Sequence, residues 1–434
     1  MKRTLVILMI ITLALPLFAF DFFFDSEETS SRNIALTLEG GVLAYIDDGE
    51  LAPYADLTLK AEQDGAKYRA VAEISYDSTL NSLEAQELSL SLFFGQATLK
   101  AGLMRHSWGT ADTAHVVDIV NGRDLRKGIV DDLELMKRPD WMLTLSTYFE
   151  NGALDLVVKP GFNPSYVAID GKYSMIPADM ASLIPADLDI GKTIAQVDTH
   201  NIKNISAGAR YRFLFDPVDI GVMYYTGYHH DPGFEPLLPP PTYALTGIDI
   251  HYTRYHFMGL ATSYFLEPFT LAAEGGMFFS EDTDGTDPSL YNSKAVYLAE
   301  LSYTNPNNSF FVALNYQGQY VFNYNPEPIL PFPGAPTLDA DYLASFNGKA
   351  YQNNFTLAME YPFMQEKLKA RVAGTFQLES LGYAVMGSLT YDLDDAVEVF
   401  AKTTVYGTFD EDRTGLYNTW KKNSQVQLGV RAWF

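Results

Sequence analysis

The sequence predicts an all-β fold, an antiparallel up-and-down β-barrel that crosses a membrane with strands. Three observations predict it. Apolar and polar residues alternate along many short segments, the connections between those segments run short and long in turn, and the apolar rows end in aromatics. Alternation by twos marks a strand with one apolar and one polar face. A closed barrel lets such strands satisfy every main-chain N–H and C=O inside a bilayer.

The alternation is plain at the C-terminal end. Val426, Leu428, Val430, Ala432 and Phe434 share one face, and Gln427, Gly429 and Arg431 share the other. Ala55, Leu57, Leu59 and Ala61 face away from Asp56, Thr58 and Lys60. The same holds for Tyr68 to Tyr76, Leu88 to Phe94, Leu368 to Val372 and Val397 to Val405. Aromatics close these rows at Tyr76, Phe94, Phe213, Tyr303, Phe376 and Tyr391, where interfacial girdles belong. The last residue, Phe434, is a terminal aromatic associated with outer-membrane barrels.

The connections set the strand count. Short turns fall near 63–65, 95–96, 151–152, 216–217, 267–268, 306–307, 364–365 and 394–395. Longer stretches lie between them at 107–140, 160–204, 229–254, 280–293, 323–348 and 408–424, with three shorter ones near 47–49, 81–82 and 380–381. Eight turns and nine loops join eighteen strands; sixteen is the alternative. An even number with short periplasmic turns and long outer loops is the bacterial pattern.

Composition narrows the rest. The chain has 434 residues, no cysteine and a net charge of -24. The acidic balance excludes a nucleic-acid partner, which needs Lys and Arg against phosphate. Lys2 and Arg3 precede an apolar run from Leu5 to Leu17, with a cleavage site at Leu17-Phe18-Ala19. We therefore expect a signal peptide over 1–19 and a single barrel domain over 20–434, located in the cell outer membrane of a Gram-negative-type envelope. No stretch after the leader is apolar for the ~18 residues that a helical span needs.

The polar faces line the lumen of such a barrel. Lys60 and eight further bases, Arg69, Lys100, Arg210, Arg212, Lys369, Arg371, Lys402 and Arg431, fall there, against the acids Asp56, Glu73, Glu87, Glu300 and Glu398. Unpaired, the bases form an anion-favouring field; paired across the wall, they are structural. The stretch from Pro160 to Asp198 is long and apolar, with Met175, Ile176, Met180, Leu183, Ile184, Leu188 and Ile190. It is either an inward constriction or a packed cap.

The segment from Gly102 to Arg126 is the most specific. It reads Ser107-Trp108-Gly109, then Asp112, Asp118 and Asn121-Gly122-Arg123-Asp124-Leu125. It resembles an outer-membrane barrel family of unknown function whose signature is a strand ending in S-W-G followed by a D…D-x-x-N-P-R-D-L loop. Gly122 stands where the family has proline, and the match covers about forty residues. The resemblance implies a barrel linked to movement of lipid-like or hydrophobic compounds. Read from its residues, the segment is an inward-folded loop. In it Asp112, Asp118 and Asp124 pair with Arg105, Arg123 and lumen cations, Trp108 packs at the rim, and Asn121 joins the network.

Enzyme motifs were sought. The sequence holds no G-x-S-x-G elbow, no H-E-x-x-H and no phosphate-cradling glycine loop. The adjacent His229 and His230 and the Asp282 to Asp287 run are weak metal motifs, read here as mouth-lining residues and a turn. We expect no enzyme, no cofactor and no metal. Expected partners are outer-membrane lipid, the barrel-assembly machinery through the C-terminal strand, and periplasmic or inner-membrane transport components. The functional expectation is a porin or transport barrel for small solutes or hydrophobic compounds; the alternative is a surface structural protein or adhesin built on a barrel.

Overall fold

The computed structural model describes residues 31–434, apart from 131–132, 167, 169–170, 176–187, 242–244, 327–338, 346–347 and 414. The expected signal peptide lies outside the described residues, as do Ile176, Met180, Leu183 and Ile184.

Nine strands form the first half of the barrel: β1 (Ser31–Tyr45), β2 (Leu51–Asp64), β3 (Tyr68–Asp77), β4 (Ser82–Phe94), β5 (Ala97–Met104), β6 (Asp140–Phe149), β7 (Gly152–Lys159), β8 (Ser206–Phe215) and β9 (Val218–Tyr228). A separate two-stranded hairpin follows, β10 (Gly233–Leu237) and β11 (Gly247–His251). The second half is β12 (Arg254–Leu266), β13 (Phe269–Ser280), β14 (Lys294–Thr304), β15 (Phe311–Val321), β16 (Tyr351–Phe363), β17 (Leu368–Gln377), β18 (Gly382–Asp394), β19 (Val397–Thr408) and β20 (Gln425–Trp433). The eighteen barrel strands make one antiparallel sheet in which each pairs with its neighbour in the chain, β9 passing to β12. The sixteen-strand alternative is excluded.

Closure is made by β1 and β20. Their register runs from Thr37↔Trp433 to Tyr45↔Gln425. Phe434 extends the ladder: its N–H donates to Leu36 O at 2.9 Å, and its carbonyl accepts Leu36 N–H at 3.0 Å. No strand edge is left open to lipid, the condition a membrane barrel must meet.

The outward face is apolar. Ile34, Leu38 and Val42 on β1, Met258 and Leu260 on β12, and Leu428 and Val430 on β20 stand exposed on alternate positions. Aromatics ring both ends of this band. Phe94, Phe149, Phe215, Phe269 and Phe363 lie beside the short turns, and Tyr76, Trp141, Tyr224, Phe279, Tyr320 and Tyr351 lie beside the long loops. Strands of this length suit a bilayer core, which needs ~9–11 tilted residues. Among the described residues, no helix is long and apolar enough to cross a membrane.

Two local devices shape the interior. Gly95 takes a φ of 62° in the β4–β5 turn, a left-handed conformation that suits glycine. A bulge sets Glu73 against Glu87 but Ile74 against Ala85, leaving Gln86 as the extra residue of β4. Beyond it the inward row switches from Glu87 and Ser89 to Glu84 and Gln86.

The interior departs from the uniformly polar lumen that the alternation predicts. The inward rows of β9 and β12–β14 carry Met223, Tyr225, Tyr255, Phe257, Phe278, Val296 and Leu298, all buried. Most of them join Met104, Trp108, Val117 and Val120 in one apolar cluster. A loop fills this side of the lumen, so its wall needs no water-facing groups.

Candidate functional site

The loop between β5 and β6, residues 105–139, enters the barrel. Its base is tied by Asn121, whose amide donates to Met104 O (3.3 Å) and Arg138 O (2.9 Å) and whose Oδ1 accepts His106 N–H (2.8 Å). Trp108 is fully buried and meets Tyr225 edge-on, with centroids 6.1 Å apart. Gly208 makes room for it: a Cβ there would sit 2.7 Å from the indole. The Trp108 indole donates to His106 Nε2 at 3.0 Å. Burial pulls His106 down to about 4, so it stays neutral and can accept this bond.

The tip of the loop reaches the far wall. Glu274 on β13 accepts main-chain N–H bonds from Thr110 (2.7 Å), Ala111 (3.3 Å), Val116 (2.9 Å) and Val117 (3.3 Å), and contacts His115 Nδ1 at 3.2 Å. Glu300 on β14 accepts from Asp112 N–H (2.5 Å), Thr113 N–H (3.0 Å) and the Asn315 amide (3.2 Å). Both glutamates are buried. Burial disfavours a charged His115, but Glu274 outweighs it and lifts the imidazole above its ordinary value. Four strands, β7, β8, β9 and β12, lie between β6 and β13. The strap therefore divides the lumen into a small filled sector and a larger open one.

A buried ion pair holds the filled sector to the loop. Lys159 Nζ lies 2.7 Å from Asp140 Oδ2, donates to Val120 O at 2.6 Å and sits 3.1 Å from His230 Nε2. Both charged side chains are essentially inaccessible, at 0% and 1% exposure. Asp140 also accepts Asn163 N–H at 3.0 Å. The pair thus ties β6, β7, the strap and two further loops together.

The open sector is a cavity of about 1580 Å³ against β1–β4 and β17–β20. It runs from Glu50, Leu188 and Gly191 at the outer loops to Glu39 and Arg431 on the mid-wall. Nine basic and eight acidic residues line it. Arg431 bridges Glu39 (2.7 Å) and Glu398 (3.3 Å). Arg126 on the loop binds Glu84 (2.9 Å) and Asp124, and Lys127 reaches Asp56 (3.6 Å) and Asp77. The Arg126 and Arg138 guanidiniums lie over the Tyr166 ring at 3.9 and 3.6 Å. The lining mixes charged and apolar side chains and is close to neutral in net charge.

The lumen bases named from sequence all fall on inward rows, and most have partners. Arg69 meets Glu62 at 2.8 Å, Lys100 meets Glu87 at 2.8 Å, and Arg210 meets Asp155 at 2.7 Å. Arg212 lies 4.0 Å from Asp155, and Arg371 lies 4.0 Å from Glu360. Lys402 Nζ sits 4.8 Å from the Phe400 ring. Lys369 faces inward opposite Pro362 on β16. The wall acids Glu39, Glu62, Asp155 and Glu274 were missed, and with them the charge balance. Glu274 stands alone in an apolar run and Asp155 between leucines, so neither advertises a network.

The strap residues come together, but not in the expected pairs. Asp118 meets Lys137 and accepts Trp108 N–H at 3.0 Å; burial pushes its carboxyl up against the pull of Lys137. Asp124 pairs with Arg126, not Arg123, and Arg123 pairs with Asp231 at 3.2 Å. Arg105 donates to Lys137 O at 2.7 Å and to Gln86. Asp112 uses its main-chain N–H on Glu300. Trp108 lies deep in the filled sector instead of at the rim. For Asp124 a nearby side chain replaces the pairing suggested by charge alone, Arg105 takes a main-chain acceptor, and Arg123 is drawn to Asp231 of another loop.

The described part of the 160–205 connection is a cap. Phe162 stacks on Tyr228 at 5.3 Å, Tyr173 meets Trp420 edge-on at 5.5 Å, and Met175 packs on the same aromatic group. A short helix, α1 (Ile190–Gln196), buries Ile190. His229 packs among Tyr255, Phe278 and Tyr291 while His230 turns to Lys159, so the two do not converge. Asp287 N–H donates to Asp282 Oδ2 at 2.9 Å and its carboxylate takes Ser289, which makes this run a self-bonded turn.

Comparison with known proteins adds little beyond shape. No family model and no curated protein matches the chain. Solved structures that align with it include engineered variants of Rhodopseudomonas blastica porin. One has a TM-score of 0.41 at 11% identity, and another a TM-score of 0.41 at 12% identity. Each alignment covers 93% of this chain and 100% of the porin. The overlays are loose, and the barrel stands on its own strand pairing.

Proposed function

We propose that this chain is an outer-membrane channel that passes small polar solutes through the open sector, between the strap and the β17–β20 and β1–β4 walls. Residues 1–19 act as its export signal and the β20 end is read by the barrel-assembly machinery. The observation that carries the reading is the cavity of about 1580 Å³, whose walls set nine bases and eight acids among apolar residues such as Leu43, Ile129 and Met386. A water-filled path between fixed charges admits hydrated solutes and filters them by size and charge. Seven of the nine inward bases named from the sequence have carboxylates within ion-pair distance. The lining therefore favours weak rather than strong anion selectivity.

The test is planar-bilayer conductance of the refolded protein, followed by liposome swelling in sugars of increasing size. Steady ohmic steps and size-limited swelling are expected. Absence of current in a folded barrel would overturn the reading and favour a surface platform. A second reading is passage of apolar compounds, in keeping with the resemblance of the Trp108 loop. The apolar residues on the open cavity, among them Leu43, Ile129, Val130, Leu188 and Met386, favour it. Uptake of a labelled fatty acid in place of sugar would identify it.

A further inference from the structure

We infer that Glu274 and Glu300 form a releasable latch for the strap tip, and that the charge on these two carboxylates sets how wide the conduit stands. The inference rests on the conduit reading for its consequence, but not for its geometry. Among the described residues, neither carboxylate has a lysine or arginine within ion-pair distance; His115 is the single charged-type contact of Glu274. Acids on a lumen wall are ordinarily hydrated. Here both are dried by the strap, and six main-chain N–H groups between Thr110 and Val117 replace the water. Bonds to an ionised acceptor are shorter and roughly twice as strong as neutral ones. The docked state therefore owes its strength to charge, while the undocked state loses little, because the acids regain water.

The two ends of the strap differ in kind. Its base is fastened by packing, with Trp108, Val117 and Val120 in the apolar cluster and Asn121 across the neck. Its tip around Ala111 to Thr113 is fastened by the two glutamates, by an Asp112–Ser302 hydrogen bond and by an apolar contact in which Ala111, Ala114 and Val116 meet Ala272 and Leu298. Weakening the glutamates frees the tip and leaves the base in place. Free, the tip no longer covers the inner faces of β13 and β14, and the loop segment 124–139 that does line the open sector loses its far anchor.

The chain has no cysteine, so one introduced thiol reports cleanly. Ala111→Cys places it in the buried tip, next to Glu274. Its labelling by a small water-soluble thiol reagent is compared in the parent and with Glu274→Gln and Glu300→Gln together. Each Gln keeps the shape and an acceptor but removes the charge. We expect labelling at least about tenfold faster, the effect of losing the extra strength of a single charge-assisted bond, together with larger unit conductance. Equal labelling rates in folded barrels overturn the latch whatever the conductance does. Faster labelling with no current in either protein leaves the latch standing and removes the conduit. Should the double variant fail to insert, each single Gln variant is expected to give a smaller acceleration, and no acceleration in either refutes the proposal.

Discussion

Replacing Lys159 by methionine removes the cation that neutralises Asp140 in the filled sector. Methionine keeps the length and the apolar stem of the side chain, so the loss is chiefly that of charge and donors. Three contacts go: Asp140 at 2.7 Å, Val120 O at 2.6 Å and His230 at 3.1 Å. Asp140, at 1% side-chain exposure, keeps only the Asn163 amide among its loop partners. Stranding one member of a buried pair costs about 3–5 kcal/mol. Replacing Asp140 by leucine as well removes the stranded charge. What remains is the Val120 carbonyl without Lys159, and the Asn163 and Trp141 N–H groups without Asp140, each about 1 kcal/mol where left unmet. The double variant K159M/D140L should therefore be more stable than K159M alone, although it carries one more substitution. The assay is urea unfolding from lipid vesicles, with stability read from linear extrapolation. A double variant less stable than K159M, with costs that simply add, would refute the claim that these side chains act as one unit.

Arg431→Ala leaves Glu39 and Glu398 unbalanced on the conduit wall and should shift selectivity toward cations, read as the reversal potential in a salt gradient; at 28% exposure its stability cost is small, about 1 kcal/mol. Asp341, on the outer-loop helix α2 (Ala340–Ser345), accepts Asn292 N–H at 2.7 Å, and burial lifts its carboxyl to about 6. A carboxyl raised on folding favours the folded state while protonated. That stability is full below the ordinary value of 3.8 and is lost as pH climbs through about 6. The unfolding free energy should therefore fall between pH 5 and pH 8 by urea titration at each pH, and Asp341→Asn should flatten that part of the difference. Deleting Phe434 removes both main-chain bonds to Leu36 at the closing seam and should lower the folded fraction on cold detergent gels, whereas Phe434→Leu keeps the bonds and should fold.

The barrel was legible because a membrane imposes its rule on every strand. A row such as Val426, Leu428, Val430 and Ala432 can be read without knowing its neighbour, and eighteen such rows joined by alternating short and long connections define a closed sheet. The filled sector left a weaker trace. In β12 the inward Tyr255 and Phe257 are as apolar as the outward Met258 and Leu260, so the period of two fades. Loss of alternation inside a strand that still crosses the membrane signals a wall covered from within, and it could have flagged β9 and β12–β14. The latch left little trace: Glu300 was legible only as a wall acid, and Glu274 not at all. Glu274 lies 164 positions from Thr110, and its acceptors meet main-chain N–H groups that every residue carries. Side-chain patterns cannot announce a contact made by backbone.

The strap decides which side of the barrel can work. Its base grows from β5 and β6, and its tip ends on β13 and β14, so its path is a chord rather than a ring. On the short side of the chord, aromatic rings and the Lys159–Asp140 pair leave no room for solvent. On the long side, the lining keeps nine bases against eight acids although the chain as a whole carries -24. The acidic surplus therefore lies outside the cavity lining. A surplus at the mouth concentrates cations by long-range attraction, which salt screens over about 10 Å at 0.1 M. The near-neutral interior, held by paired contacts of 2.7–3.3 Å around Arg431, is screened far less. The cation pull of an acidic mouth should thus offset the weak anion preference of the lining in dilute salt and fade as ionic strength rises, leaving the size of the chord-bounded opening as the property that persists.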